Sequence, residues 1–403
     1  MKIAYLAPEI PALSATFVYN EILALETLGQ EVVPFSVHKP FSVVAGSALR
    51  DLSGSVVYVY DQSKMAVLFC HLQLLFKHPF RYFSTLKSLF SDILAIGGIG
   101  RPTLGLVYRF FFAGSVANEL IKQQCQHLHI HFAHVPTDIG MYAASLIDIP
   151  FSVTAHANDI FERGWLLKQK VDRCAFFATI SEFNRRYLLG LGVDADKLKV
   201  VRCGVDAEQF STRKNFVSAE RVKIGTVGRL VEKKGIDTLI KAMALVKQQG
   251  LQCDLLIAGS GPLEEALRQL VDEQQLNSTE VHFLGAIAHT EVAEFITSLD
   301  VFVLPCKQDA NGDMDGVPVV LMEAMLSGVP VISTELSGIP ELILNQQTGL
   351  LVKPNDDSAL AGAIMQILSD DVLRAKMLIQ AAAKVNDEFS LLGNAARLKR
   401  LFL

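Results

Sequence analysis

Short runs of β-branched and other apolar residues alternate along this chain with longer stretches of helical periodicity. A strand buried on both faces reads as a continuous apolar run, and parallel neighbours need a crossover between them, usually a helix. The pattern therefore predicts parallel sheets covered by helices. In the first half the predicted strands are Lys2–Leu6, Glu31–Val37, Ser55–Tyr60, His127–Phe132, Phe151–Thr154, Phe176–Thr179 and Lys199–Arg202. In the second half they are Lys223–Val227, Asp254–Ala258, Val281–Leu284, Val301–Leu304, Val331–Ser333 and Leu350–Val352. Each set fills one doubly wound sheet, and the polar stretch Gly204–Arg221 between them reads as a linker.

The expected fold is α/β, with two facing Rossmann-like domains and an interdomain cleft. Residues 1–205 form the acceptor-side domain, 206–380 the donor-binding domain, and 381–403 a C-terminal helix that packs back on the first. A chain of 403 residues is too long for one ordinary core and suits two domains. Half its residues are apolar and its net charge is −5, so it reads as globular and gives no reason to expect a nucleic-acid partner. Its six cysteines stand singly and read as free, mostly buried thiols in a reducing compartment. The opening apolar run is too short for a signal peptide, and no uncharged apolar stretch of about 20 residues is apparent. The cytoplasm is the expected location.

Doubly wound sheets gather ligands beyond the carboxyl ends of their strands, so the strand-to-helix loops carry the informative residues. Gly228-Arg229-Leu230-Val231-Glu232-Lys233-Lys234-Gly235 follows the first strand of the second half. Gly228 lets a ligand approach the backbone, and Arg229 and Lys234 place a planar fork and a point charge near one spot, which suits a departing diphosphate. Two solvated surface cations are the plain alternative. Gly259-Ser260-Gly261-Pro262 sits on the same sheet edge, as a ligand loop or as a tight turn.

Asp309–Met325 is the richest segment: an acidic, Gly-bearing loop running into a helix expected to start near Pro318. Free N–H groups at that helix start, near Gly316 and Val317, suit a phosphate. Glu323 could accept two hydroxyl hydrogen bonds from a ribose, and Asp315 could hold sugar hydroxyls. Asn311-x-Asp313-x-Asp315-Gly316 copies the first half of a calcium loop, but its twelfth position is Met322 rather than Glu. Asp313-Met314-Asp315 could also be read as a metal-holding D-x-D, and an ordinary capped surface loop is a further alternative.

In their order, Gly228-Arg229-Leu230, Lys234-Gly235 and the acid-x7-Glu element Asp315…Glu323 resemble family 4 retaining glycosyltransferases of the GT-B fold. The resemblance spans nearly the whole chain. It implies that Arg229 and Lys234 hold the donor diphosphate, Glu323 the ribose, and Asp315 the donor sugar. The family usually has Glu where this chain has Asp315, one methylene shorter. The segment Thr154-Ala155-His156-Ala157-Asn158-Asp159-Ile160-Phe161 resembles the T-A-H-A-x-D-I-F stretch of family members that build bacterial exopolysaccharides. That likeness implies His156 contacts the donor sugar and Asp159 shapes the loop; a purely structural histidine is the alternative. Pro11–Val18 resembles the family's P-x-L-S-E-T-F-V segment, which places Ser14 and Thr16 toward the donor, with Ala15 where an acid is usual.

His127, His129 and His131 alternate along a predicted strand, a spacing that does not by itself make a tetrahedral zinc site. Residues 62–112 mix Lys64, Lys77, Arg81, Lys87, Arg101 and Arg109 with Phe69, Phe76, Phe80, Phe83, Phe90 and Phe110–Phe112. That mixture fits a membrane-surface patch or, equally, helix core faces with solvated cations.

The expected activity is transfer of a hexosyl group from a UDP- or GDP-sugar to a saccharide, in exopolysaccharide or cell-surface glycan synthesis. The acceptor is lipid-linked if the basic aromatic patch meets a membrane. His156, Arg229, Lys234 and Asp315 are the expected catalytic residues; Ser14, Thr16, Gly228, Gly259, Gly261, Gly316, Val317 and Glu323 are expected to bind donor. No metal or cofactor is expected. A nucleotide-sugar epimerase, a phosphorylase and a non-catalytic glycan- or lipid-binding protein are the rivals. An NAD-linked oxidoreductase is disfavoured, because neither opening strand is followed by G-x-G-x-x-G.

Overall fold

The computed structural model describes residues 1–12, 15–40, 52–98, 100–210 and 221–403. Two compact units emerge: Met1–Arg202 with Asn394–Leu403, and Cys203–Gly393.

The first unit holds strands β1 (Lys2–Glu9), β2 (Glu31–His38), β3 (Val57–Tyr58), β4 (His127–His131), β5 (Phe151–Ala155), β6 (Phe177–Thr179) and β7 (Leu198–Val200). They run in the order β3-β2-β1-β4-β5-β6-β7, every neighbouring pair parallel. Strands β4 and β5 are buried along their whole length, which is why they read as unbroken strands in sequence. Helix Thr16–Thr27 crosses from β1 to β2 and buries Val18, Tyr19, Glu21, Ile22, Ala24 and Leu25. Three helices, Lys64–Lys77, Pro79–Ala95 and Arg101–Lys122, fill the connection from β3 to β4. Ser63 caps the first by accepting from Ala66 N, and Pro79 opens the second at a position where no N–H is needed. The third passes for a membrane-crossing helix by length and composition only, and it carries Arg109 and Glu119 along its apolar run. Half of its apolar window is buried, because Leu106, Phe110, Phe112 and Val116 belong to the unit's core.

The second unit holds β8 (Val222–Val227), β9 (Cys253–Ala258), β10 (Val281–Gly285), β11 (Val301–Leu304), β12 (Val331–Thr334) and β13 (Leu350–Val352). Their order is β10-β9-β8-β11-β12-β13, again all parallel. Two apolar clusters build its core: Leu239, Ile240 and Ile364 belong to one, Leu321, Met325 and Phe389 to the other. A fully buried Leu or Ile contributes about 1.5–3 kcal/mol, so each layer supplies substantial stability.

The domain limits differ slightly from those expected. Val205 belongs to the second unit, because its N–H donates to Phe389 O and its carbonyl accepts from Leu391 N. Of the segment 381–403, Ala381, Val385 and Phe389 are buried in the second unit's core. Only Asn394–Leu403 joins the first, where the Phe402 ring lies 5.2 Å from His127 and 5.7 Å from Phe176.

Candidate functional site

In the second unit the strand order reverses between β8 and β11, the point at which a doubly wound sheet opens a crevice. The loops leaving these two strands carry Arg229, Lys233 and Lys234 on one side and Cys306, Asp313 and Asp315 on the other. They meet backbone to backbone at Gly235. Its φ is +66°, and a Cβ there would sit 1.9 Å from Pro305 O, so only glycine fits.

That approach brings charges together. Lys234 Nζ lies 2.7 Å from Asp315 Oδ2, and Lys233 Nζ lies 2.7 Å from Asp313 Oδ2 and 3.5 Å from Asp315 Oδ1. The Cys306 thiol donates to Asp315 Oδ2 at 3.4 Å. Lys307 Nζ pairs with Asp237 at 2.7 Å at the start of the following helix, Ile236–Gln248. Burial works against ionising Asp315, but Lys234 and then Lys233 outweigh it and hold its carboxyl below the usual range. Burial likewise opposes the Lys234 ammonium, and Asp315 outweighs that, raising its pKa. Burial, and next Asp315, push the Cys306 thiol far up, so it stays a neutral donor. Arg229 is exposed, and its guanidinium has no ion-pair partner among the described residues.

Glu323 lies in helix Val319–Leu326. It is 8% exposed, has no side-chain hydrogen-bond partner among the described residues, and burial raises its carboxyl to about 7. The helix begins at Val319, with Pro318 as its N-cap (φ −64°, ψ 123°) rather than in its first turn. A proline one residue earlier still leaves the first helical N–H groups open, beside buried Gly316 and Val317. Gly259 and Gly261 have a structural occupation. A Cβ on Gly259 would lie 1.8 Å from Gly228 O, and one on Gly261 2.5 Å from Leu230 O. Their bare faces receive the arginine-bearing loop itself.

The first unit reverses its strand order between β1 and β4, and its polar residues gather there too. Helix Thr16–Thr27 begins at Thr16, with Ala15 as an N-cap that makes no side-chain bond. Ser14 lies outside the described residues. His156 follows β5, 6% exposed, with its ring centroid 4.6 Å from both Phe17 and Phe132. Its Nε2 is 3.1 Å from His131 Nδ1, and its backbone N–H donates to Asp159 Oδ1 at 2.7 Å. Asp159 also accepts from Ala133 N, so one buried carboxyl ties the loop after β4 to the loop after β5. Burial raises that carboxyl to about 7, against the hydrogen bonds it accepts. Burial, then His131, hold His156 well below the ordinary histidine value, so it is neutral near pH 7.

Ligand atoms of Glu21, His129 and His131 lie within 4.8 Å of one another. Hydrogen bonds account for each. His129 uses Nδ1 on Ser152 Oγ and Nε2 on Thr154 Oγ1; His131 uses Nε2 on Glu21 and Nδ1 on His156. Sequence reasoning missed Glu21, Tyr5, Cys306 and the pairs Lys233–Asp313 and Lys307–Asp237. Only Glu21 left a signal, as a carboxylate among the apolar residues of a helix face.

In residues 62–112, Phe69, Phe76, Phe80, Phe83, Phe90 and Leu94 are exposed, Phe80 at 90%. Phe110 and Phe112 are core residues instead, because their helix packs inside the unit. Arg81 pairs with Asp148 and Arg109 with Asp138, whereas Lys64, Lys77, Lys87 and Arg101 are exposed with no ion-pair partner among the described residues.

Residues 208–385 match the family described as Glycosyl transferases group 1, and residues 67–209 match Glycosyltransferase Family 4. The amylovoran biosynthesis glycosyltransferase AmsK of Erwinia amylovora is 30% identical over 407 residues, covering 97% of this chain and 96% of that protein. Among solved structures, sucrose-phosphate synthase from Thermosynechococcus elongatus superposes with a TM-score of 0.76 at 20% identity, over 100% of this chain and 98% of that one. Anabaena HepE in complex with UDP-glucose gives 0.72 at 16% identity, over 100% and 99%. The two parallel-sheet, Rossmann-like units are thus those of the GT-B fold.

Proposed function

The chain belongs to the family 4, group 1 glycosyltransferases, and from that premise we propose that it moves a hexosyl group from a nucleoside diphosphate sugar to a saccharide hydroxyl, with retention and without a metal. The observation that carries this reading is the Lys234–Asp315 contact at the β8–β11 switch point, with Arg229 exposed on the same loop.

In the reaction, the bond from the anomeric carbon to the phosphate oxygen breaks and one to the acceptor oxygen forms on the same face. The acceptor proton passes to the departing phosphate. Negative charge grows on the diphosphate, and Lys234 and Arg229 supply fixed positive charge to meet it. Asp315 is held ionised by two lysines and can accept from sugar hydroxyls. Glu323 meets the ribose diol, whose hydroxyls would stabilise the carboxylate that burial now disfavours. Metal independence is supported by the ammonium groups, which take the positions on Asp313 and Asp315 that a divalent cation would need.

A thermal-shift and turnover screen of UDP- and GDP-sugars in EDTA, with the product's anomeric configuration read by NMR, tests the reading. Stabilisation by one nucleotide sugar and an unchanged configuration are expected. Inversion would remove the retaining assignment, and loss in EDTA would remove metal independence. The exposed phenylalanines beside unpaired lysines support a lipid-linked acceptor and a peripheral place on the inner face of the plasma membrane. Sedimentation with phosphatidylglycerol vesicles checks that part; recovery in the supernatant at low salt would end it.

A further inference from the structure

Glu21 lies mid-helix on a buried face, three residues after Val18 and four before Leu25. A carboxylate placed there needs donors, and it has two. The Tyr5 hydroxyl donates to Oε1 and lies 3.0 Å from His131 Nε2, which is itself 2.9 Å from the same Glu21 oxygen; with its proton on Glu21, Tyr5 can only accept from Nε2. On the far side of the His131 ring, Nδ1 lies 3.1 Å from His156 Nε2. These contacts form one chain: carboxylate, imidazole, imidazole.

The chain has a direction. A carboxylate only accepts, and a neutral imidazole has one N–H and one lone pair. With a single ring proton, His131 carries it on Nε2, toward Glu21, and its Nδ1 must accept. His156 then carries its own proton on Nε2, and Nδ1 is its acceptor nitrogen. Little around the chain can reverse it. Both nitrogens of His129 are engaged by Ser152 and Thr154, and Phe17 and Phe132 confine the His156 ring.

We propose that Glu21, acting through His131, is a positioning residue that fixes His156 as its Nε2–H tautomer, so that Nδ1 accepts from a hydroxyl of the transferring sugar. This inference rests on reading His156 as a sugar contact. Reversing the chain would turn the nitrogen that accepts from the sugar hydroxyl into a donor and reverse that hydrogen bond. The titratable groups facing His156 and His131 are Tyr5, Glu21, His129, His134 and Asp159. Burial first, then the neighbouring imidazoles, hold His129 far down; burial first, then Arg163, Lys170 and Arg109, hold His134 at about 3. His129 and His134 thus do not charge near neutral pH, and the hydrogen bonds of the chain leave the tautomer to Glu21.

Long-range 1H–15N correlation of the histidine rings in the whole wild-type protein reads the tautomers directly, with His156→Asn assigning the signal. Nε2–H forms are expected for both His131 and His156. In Glu21→Gln the amide can donate to His131 Nε2 and reverse the chain, so both rings shift to Nδ1–H. Transfer in that variant should fall about 10- to 100-fold in kcat, with donor KM changed by less than about twofold. An Nδ1–H form at His156 in the wild type overturns the proposal, as do wild-type tautomers and kcat in Glu21→Gln. The tautomers are read without substrate, so a failure of the donor screen is told apart from a failure here.

Discussion

The two units have sheets of similar order and reverse them at equivalent places, yet they fill the two crevices with different chemistry. At the β8–β11 point of the second unit, lysines and aspartates stand in contact, each neutralising the other in a nearly buried setting. At the β1–β4 point of the first unit, imidazoles, hydroxyls and one carboxylate form a chain, and its ring nitrogens are matched to partners. Ion pairs of the first kind leave fixed charge that a charged ligand could share, as the proposed diphosphate would share Lys234 with Asp315. A chain of the second kind holds the direction of each hydrogen bond instead. Topology therefore fixes where a ligand goes, and the side chains at the strand ends decide whether charge or orientation is supplied.

Breaking the charged side should have the largest effect. Lys234→Ala is expected to lower kcat by about 10²–10³-fold, as loss of a transition-state charge contact does. It also leaves Asp315 without its nearest cation, at a cost of about 3 kcal/mol. Steady-state turnover beside a melting curve separates the two, and near-normal turnover would remove the role given to Lys234.

Glu323 sharpens the comparison, because it is a charge site held back by burial. Its carboxyl titrates at about 7 folded, against an ordinary value of 4.5. Between those pH values the folded state binds more protons than the unfolded one, so this group's contribution to stability falls as pH rises. Glu323→Gln should remove that slope: little change in Tm at pH 4, a higher Tm than wild type at pH 8, and a donor KM raised about tenfold. A wild-type pH dependence of Tm in the variant would contradict the assignment.

Loop packing beneath the charged site comes next. Gly259→Ala places a methyl into Gly228 O at a φ of +144°, and a loss of about 2 kcal/mol, or about 4–8 °C in Tm, is expected. Gly362→Ala, in an open helical position, should leave Tm unchanged or slightly higher. Equal Tm values for the two variants would contradict the close approach of the loops. The smallest effect on chemistry belongs to the exposed aromatic face of the first unit. Phe76→Ser with Phe80→Ser should weaken vesicle binding and leave turnover on a water-soluble acceptor within about twofold.

Every strand was legible in the sequence as a short run between polar loops, most of them β-branched and apolar; β4 carries three histidines and is buried all the same. The residues of the second crevice were legible one at a time, since Arg229, Lys234, Asp315 and Glu323 sit in loops or helix starts after strands. Their pairing was not. Lys234 and Asp315 are brought together only by the neighbouring of β8 and β11, an order that periodicity does not encode. Gly259 and Gly261 show a related limit: the sequence shows that a side chain is missing, and only the fold shows which backbone lies against the space. Glu21 was hidden because an acid inside a helical pattern ordinarily faces solvent, and its partners Tyr5 and His131 come from two other strands.

The central claim is that the β8–β11 crevice binds a nucleotide sugar through Lys234 without a metal. Isothermal titration of UDP- and GDP-sugars into the wild type and Lys234→Ala, both in EDTA, tests it most directly. The account predicts that one nucleotide sugar binds the wild type in EDTA and loses at least about tenfold in affinity in the variant. Equal affinity for the two proteins, or binding that appears only when a divalent cation is restored, would contradict it.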